Sequence, residues 1–308
     1  MLPPVLPVFP VTAPWLWIVF TLVAAASQTV RNLLQRELTT SLGTLGATMV
    51  RFLYGLPFGI LFLGVVLVTT GHSLPVPGLE TYGWAAMGAL TQIAATALML
   101  AAMQSRSIVV VTAYTKTEPV LVAVFGLALL GDPVTITVIS AILIATAGVL
   151  LMTWPKKAAG EMLSPQPTIL GISSAALFGL SAVGFRGAIT SLGSGNYVVD
   201  ASTTLVIGLL MQTTILTGWL LLRDRKTLRA ILAAWRQSAP AGFAGAFASQ
   251  MWFLAFALES AARVRTLALV EIFFAQLLAG QLLKQKAGPA EWIGIALIAG
   301  GVILLLNS

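Results

Sequence analysis

Three charged residues interrupt long apolar stretches of the chain, and a charge in such surroundings needs a specific role. They are Lys116, Glu118 and Glu271. A charge at the centre of a membrane helix costs about 2.5–3.5 kcal/mol on insertion scales, so these groups are candidates for gating or ion coupling. Positions two apart on a helix point to different faces, so Lys116 and Glu118 are not expected to pair directly. A contact between Lys116 and a carboxylate from elsewhere in the chain is left open. The structural alternative has Lys116 extending to the interface and both glutamates bonding neighbouring helices.

A second set of residues is polar or aromatic but uncharged, and it lies at a similar depth in the apolar segments. A small ligand is usually held by a mostly apolar pocket with a few placed hydrogen-bonding groups. The alternative is hydrogen bonding between helices, at about 0.6 kcal/mol for each bond. The candidate substrate-binding residues are Ser27, Gln28, Gln92, Tyr114, Ser181, Gln250, Trp252 and Gln276.

Two prolines inside apolar segments, Pro57 and Pro119, are predicted to kink their helices, because proline frees a backbone carbonyl.

Enzymatic chemistry has little support in the sequence. The chain has no cysteine and one histidine, His72, so a thiolate or multi-histidine metal site is excluded. There is no GxSxG sequence and no P-loop. We therefore expect no catalytic residue, no metal and no cofactor.

The composition indicates which elements position these residues. Of 308 residues, 58% are hydrophobic and 9% are charged, and the mean hydropathy is +0.95. Soluble domains average about 25% charged residues, so this chain cannot cover a water-exposed surface. The net charge of +7 is scattered through apolar sequence and forms no patch for nucleic acid. The sequence predicts an integral membrane protein.

Ten apolar runs have the length of a membrane-spanning helix, about 17–25 residues. Strict alternation of the β-barrel type is absent from them, so the predicted fold is all-α. No Lys or Arg precedes Arg31, and the first apolar run is therefore expected to be retained instead of cleaved as a signal. The predicted spans are 13–35, 44–70, 81–104, 108–130, 134–154, 168–190, 197–222, 239–260, 266–284 and 289–306.

An internal repeat divides the predicted spans into two sets of five. A shift of about 153 residues places Glu118 on Glu271 and Gly148-Val149 on Gly301-Val302. A shift of 155 places Arg31 on Arg186. We therefore predict two five-helix repeats, 1–155 and 156–308, in one membrane domain. Because five is odd, the second copy enters the membrane from the opposite side, an inverted arrangement found in transporters.

The basic residues predict an orientation. Twelve of the 17 Lys and Arg residues fall in odd-numbered connections between the predicted spans or near the ends of the spans that flank them. Positive charge collects in cytoplasmic connections, so this bias places both termini outside the cytoplasm. Arg31, Arg51 and Arg186 are interpreted as interfacial anchors or topology signals.

The ends of the two halves resemble a known family. The residues that carry the resemblance are Glu118-Pro119-Val120, Gly131-Asp132 and Ala141–Val149 in the first half, and Ile293–Gly301 in the second. This pattern is similar to the drug/metabolite transporter superfamily, in particular its EamA-type members, and most similar to the bacterial amino-acid exporters of the YddG kind. The second half departs from the pattern, because Ile272 stands where the first half has Pro119, and Lys284-Gln285 replace the acidic turn.

The resemblance implies a ten-helix inner-membrane exporter that works by alternating access, with a central cavity between spans one, three, four, six, eight and nine. It also implies cytoplasmic termini, in conflict with the charge bias. The leading hypothesis is a multi-pass secondary transporter exporting amino acids or related small metabolites across the bacterial inner membrane. The alternative is a multidrug, nucleoside or sugar-type transporter of the same superfamily. The expected partners are a small-molecule substrate and the lipid bilayer, without nucleic acid, and the expected state is a monomer.

Overall fold

The computed structural model describes residues 14–105, 111, 114–153, 165–272 and 289–308. Every regular element within them is helical. We number the α-helices along the chain: α1 Leu16–Leu53, α2 Gly55–Thr70, α3 Leu79–Ser105, α4 Glu118–Phe125, α5 Ile136–Thr153, α6 Pro165–Leu192, α7 Tyr197–Arg223, α8 Arg225–Ala233, α9 Trp235–Leu258, α10 Ala261–Leu267 and α11 Pro289–Leu306.

Helix α1 is two helices joined at a sharp turn. Its 38 residues would extend about 57 Å if straight, nearly twice the hydrocarbon thickness of about 30 Å. Gly43 interrupts it with φ of +69°, a conformation in which glycine avoids the steric cost of a side chain. Gln35 Nε2 donates to Ala47 O at 2.9 Å, although twelve residues of straight helix would separate them by about 18 Å. The chain therefore reverses at Gly43, between the first two predicted spans.

The described helices are those of a multi-pass membrane protein. Five candidate spans are long and apolar enough to cross a bilayer: Leu16–Thr70, Leu79–Ala102, Thr168–Leu192, Tyr197–Arg223 and Trp235–Leu258. Three further apolar helices are shorter, namely Glu118–Leu130, Ile136–Met152 and Trp292–Leu306. Parts of the fourth and ninth predicted spans lie outside the described residues, so the count of ten remains a prediction.

Two of the shorter segments are interrupted at corresponding places. Lys116 and Thr117 form a turn directly before α4 begins at Glu118. In the second half, α10 ends at Leu267 and a 3₁₀ turn, Ala268–Val270, leads directly to Glu271. Each glutamate therefore follows a break in regular α-helix.

Helix packing is most extensive in three pairs, which are α3 with α6, α1 with α9, and α5 with α11. In the predicted repeat, α1 corresponds to α6 and α3 to α9. Replacing each helix of the pair α1–α9 by its counterpart therefore gives the pair α6–α3. The third pair joins the last helix of each half. These contacts join the two halves.

The contact between α5 and α11 is close because glycines lie on it. A Cβ at Gly148 would lie 2.7 Å from Gly294 O, and a Cβ at Gly301 would lie 2.8 Å from Ala145 N. Small residues let membrane helices approach to backbone distance. In the 153-residue register, Gly148 corresponds to Gly301 and Ala145 to Ile298. A Cβ at Gly148 would also lie 2.9 Å from Ile298 N, so the contact is reciprocal.

Helix α8 is the most polar element. Arg225, Lys226 and Arg229 are exposed, whereas Ile231 is buried against the other helices. Asp224 caps the helix by accepting from Thr227 N at 3.1 Å and Thr227 Oγ1 at 2.6 Å. These hydrogen bonds stabilise the carboxylate and lower the pKa of Asp224 below its ordinary value. The helix has the apolar and basic faces of an interfacial helix.

Candidate functional site

A polar cavity of about 90 Å³, partly open to solvent, lies between the two halves. Residues from α1, α3, α6 and α9 line it, together with the interrupted segments around Lys116 and Glu271. Asn32 lines the cavity and is exposed, so the cavity reaches the surface beside α1. The predicted residues that line it are Gln28, Gln92, Ser181, Trp252, Lys116, Glu118 and Glu271.

Two ion pairs cross between the halves inside this cavity. Lys116 pairs with Glu271, and Arg265 Nε lies 3.1 Å from Glu118 Oε1. The glutamate of each half is thus neutralised by a cation of the other half. Lys116 and Glu118 are not paired with each other, as their spacing indicates. The side chains of all four residues are at most 15% exposed.

Gln28 and Trp252 connect the two ion pairs. Trp252 Nε1 donates to Gln28 Oε1 at 3.1 Å, and Gln28 Nε2 donates to Glu271 Oε2 at 3.3 Å. The Arg265 guanidinium lies 4.4 Å from the centre of the Trp252 ring. We call these six residues the central network: Gln28, Lys116, Glu118, Trp252, Arg265 and Glu271. Hydrogen bonds and a cation–π contact therefore connect the two ion pairs.

Sequence analysis missed the arginines of the cavity. Arg31 and Arg51 line it and are each 5% exposed, so the interpretation of both as interfacial anchors is wrong. Arg265 falls between the eighth and ninth predicted spans, but it lies in α10 and faces the cavity. The depth of Arg51 within its predicted span was the available signal. A charge inside a span and away from its ends requires a partner or a wet cavity.

Several predicted residues do not line the cavity. Ser27 is half-buried beside Gln28 but is not part of the lining. Tyr114 forms a hydrogen bond of 2.8 Å with Thr168 Oγ1, and Gln250 Nε2 donates to Ser202 Oγ at 2.9 Å. Tyr114 and Gln250 therefore form hydrogen bonds between neighbouring helices, the alternative to a role in substrate binding. Gln276 lies outside the described residues.

Gln92 has a buried partner that the sequence analysis did not single out. Gln212 Nε2 donates to Gln92 Oε1 at 2.8 Å, and Gln212 is 1% exposed. This bond fixes the Gln92 amide at the cavity wall. It also joins α7 to α3, so α7 supports the cavity without lining it.

The two prolines stand at the start of helices. Pro119 lies in the first turn of α4, and Pro57 is the third residue of α2, which begins after the break at Tyr54. Proline is tolerated in a first turn because an N–H there has no partner within the helix. Both prolines therefore follow a break directly, in place of the predicted kinks within a continuous helix.

A second charged cluster, the Arg186 cluster, consists of Asp132, Arg186, Glu259 and Arg263. Arg186 Nη1 donates to Phe256 O at 2.6 Å and also to Glu259 O, and Arg186 Nη2 donates to Asp132 Oδ1 at 3.3 Å. Arg263 Nη1 pairs with Glu259 Oε2 at 3.1 Å, and Arg263 Nη2 donates to Leu305 O at 3.0 Å. The cluster connects α6, α9, α10 and α11 to the turn after α4. The interpretation of Arg186 as an interfacial anchor is therefore wrong.

Among the described residues, no group of three His, Cys, Asp or Glu side chains could hold a metal ion. The site presents charges and amides to a cavity, and its ion pairs hold the two halves together.

Comparison with known proteins finds a family match within the first half of the chain. Residues 15–154 match the EamA-like transporter family. No curated protein matches the sequence significantly. Among 28 matching chains of solved structures, one described as "Crystal structure of protein" is 14% identical, with a TM-score of 0.67 over 94% of this chain and 95% of that chain.

At 14% identity the structural likeness concerns the fold alone, and it extends over nearly the whole chain. The family match covers the segment that contains Arg31, Arg51, Lys116 and Glu118. The match and the apolar helices together indicate a multi-pass membrane protein whose first half is similar to a transporter family.

Proposed function

We propose that this protein is a secondary transporter that exports amino acids or related small metabolites across the bacterial inner membrane by alternating access. The observation that carries the proposal is the pair of ion pairs between the halves, each beside an interrupted helix. Discontinuous helices near the middle of the membrane are a recurrent feature of transporter substrate sites. Ion pairs between halves can break and re-form as the halves move.

The reciprocal packing supports the inverted repeat on which the proposal depends. The pairs α1 with α9 and α3 with α6 exchange when the halves are exchanged, and α5 packs on its counterpart α11 through Gly148 and Gly301. A two-fold arrangement of this kind allows two conformations, and in the second each half adopts the arrangement that the other half has in the first. The cavity would then face each side of the membrane in turn.

The two charged regions support one conformation of that cycle. The cavity reaches the surface beside Asn32, whereas the Arg186 cluster ties four helices together elsewhere. We infer that the Arg186 cluster is the closed gate of this conformation. In the opposite conformation its contacts would separate and the cavity would open there.

The test is counterflow in liposomes. Protein reconstituted in vesicles loaded with one unlabelled amino acid should accumulate the same labelled amino acid from outside. The test variant is Arg186→Ala, checked for folding by size-exclusion chromatography, in which the proposed gate is broken and counterflow should differ from that of the wild type. Absence of counterflow for every amino acid, nucleoside and cationic drug tried with folded protein would refute the transport proposal. Flux of drugs or nucleosides alone would favour the alternative substrates.

A further inference from the structure

The charges that line the cavity do not balance. Its cations are Arg31, Arg51, Lys116 and Arg265, and its anions are Glu118 and Glu271. Lys116 and Arg265 are already paired with the two glutamates. Two positive charges therefore remain in excess, on Arg31 and Arg51.

The partners of these two arginines are neutral. Arg31 donates through Nε and Nη2 to Asn32 Oδ1, at 3.3 and 2.7 Å. Arg51 Nη2 is 3.5 Å from Ser249 Oγ, and its guanidinium lies 5.2 Å from the centre of the Phe52 ring. No carboxylate of the described residues lies within ion-pair distance of either arginine.

The two side chains lie side by side because a glycine makes room for them. A Cβ at Gly245 would be 3.1 Å from Arg51 Cγ and 3.6 Å from Arg31 Cδ. Both stems thus pack over the same point of α9, and each residue is 95% buried. Two adjacent like charges away from bulk water repel each other strongly, and an anion between them would remove that cost.

We propose that the cavity binds an organic anion, and that Arg31 and Arg51 hold its carboxylate or phosphate oxygens. The guanidinium group offers paired N–H donors that fit the two oxygens of these groups. A cationic substrate is disfavoured because both glutamates of the cavity are already neutralised. Phe178, Phe185 and Phe253 line the cavity nearby and would contact the organic part of the substrate.

This inference rests on the proposed function and narrows it. Among amino acids and related metabolites, it selects those with net negative charge. An acidic amino acid, a dicarboxylate and a phosphate monoester share the required chemistry. A zwitterionic or cationic amino acid lacks the excess negative charge that would match both arginines.

The transport arm of the test is counterflow with glutamate, succinate, glycerol 3-phosphate, leucine and lysine. We expect at least one of the first three to be transported ten times faster than leucine or lysine. In Arg31→Gln and Arg51→Gln, the KM for that anion should rise at least tenfold, and Arg51→Lys should fall between wild type and Arg51→Gln. Arg229→Gln, an exposed position on α8, is the matched control and should keep the wild-type KM. Preferential flux of leucine or lysine would overturn the anion site and leave the transport proposal standing.

The binding arm does not depend on transport. Glutamate, succinate or glycerol 3-phosphate at millimolar concentration should raise the unfolding temperature of purified wild-type protein and of Arg229→Gln. The same anions should leave Arg31→Gln and Arg51→Gln unshifted. Equal shifts in all four proteins would show that the anion binds elsewhere and would overturn the proposal. A specific shift in protein that transports nothing would support the anion site and refute the transport function.

Discussion

The cavity and the Arg186 cluster both enclose arginines, but they partner them differently. Arg186 meets Asp132 and two backbone carbonyls, so its charge is neutralised within the protein. Within the described residues, Arg31 and Arg51 form hydrogen bonds only with an amide and a hydroxyl, although they are almost completely buried. Arg31 and Arg186 correspond at a shift of 155 residues, so the same position of the predicted repeat has two different environments.

The difference separates a region that is complete from one that lacks a counter-charge. A buried ion pair is costly to break from one side, because the partner is left as an unpaired charge. A buried cation without a counter-charge destabilises the folded state, and binding of an anion would remove that cost. The Arg186 cluster therefore stabilises the conformation, whereas the cavity is where a ligand would contribute most.

The largest effect is expected from Arg186→Ala. The substitution leaves the Asp132 carboxylate without its cation and removes the bonds to Phe256 O and Glu259 O. Losing one partner of a buried ion pair costs about 3–5 kcal/mol, and we expect a loss of stability near the lower end because both side chains are slightly exposed. Thermal unfolding in detergent measures it. The double variant with Asp132→Asn should recover part of the loss, and a simple sum of the two single effects would contradict the pairing.

Next in size is Gly301→Ala, which acts on the support of the Arg186 cluster. The methyl group would lie 2.8 Å from Ala145 N, and it would push α11 away from α5, moving Leu305 O from Arg263. Overpacking of this kind costs about 1–3 kcal/mol. Gly300→Ala is the matched control, because a Cβ there meets nothing within 4 Å. We expect the unfolding temperature to fall only for Gly301→Ala; equal effects would rule out the close contact.

The two glutamates of the central network should differ from each other. Glu271 binds both Lys116 and Gln28, whereas Glu118 pairs with Arg265, which also stacks on Trp252. Glu271→Gln should therefore reduce the rate of counterflow about tenfold, equivalent to about 1.4 kcal/mol, and Glu118→Gln should reduce it less. Initial rates at saturating substrate measure this difference. Wild-type rates for both variants would show that the ion pairs have only a structural role.

The smallest and most diagnostic effect concerns stability without ligand. Arg51→Gln should raise the free energy of unfolding slightly, by about 1 kcal/mol or less, because it removes an unpaired cation from the membrane interior. Arg186→Ala should lower it. Opposite signs for two enclosed arginines would sharpen the contrast between the regions. A loss of stability in Arg51→Gln comparable with that in Arg186→Ala would remove the contrast.

Much of the site was visible in the sequence because charge inside an apolar segment is conspicuous. Lys116, Glu118 and Glu271 all line the cavity, and the spacing of the first two correctly excluded a pair between them. The identity of each partner was not visible, because Arg265 and Glu118 are 147 residues apart. Distances of that kind depend on which faces of the helices meet.

Adjacent residues show the same limit. Gln28 lines the cavity and Ser27 does not, although both are polar and at the same depth. Tyr114 and Gln250 bond other helices instead of facing the cavity. Hydropathy measures how apolar a segment is, but it carries little information about how a uniformly apolar helix is rotated. The rotation of each helix is set by packing against its neighbours, as where Arg31 and Arg51 pack over Gly245.

The sequence by itself determined that this protein lies in a membrane and that it carries few charges. With 9% charged residues, the chain must lie in a membrane, and each charge within a span must be paired or wet. The tertiary structure alone decided which charges are paired. It placed Arg186 against Asp132 and left Arg31 beside Arg51, because helix packing, and not local sequence, sets which side chains meet across the interface between the halves.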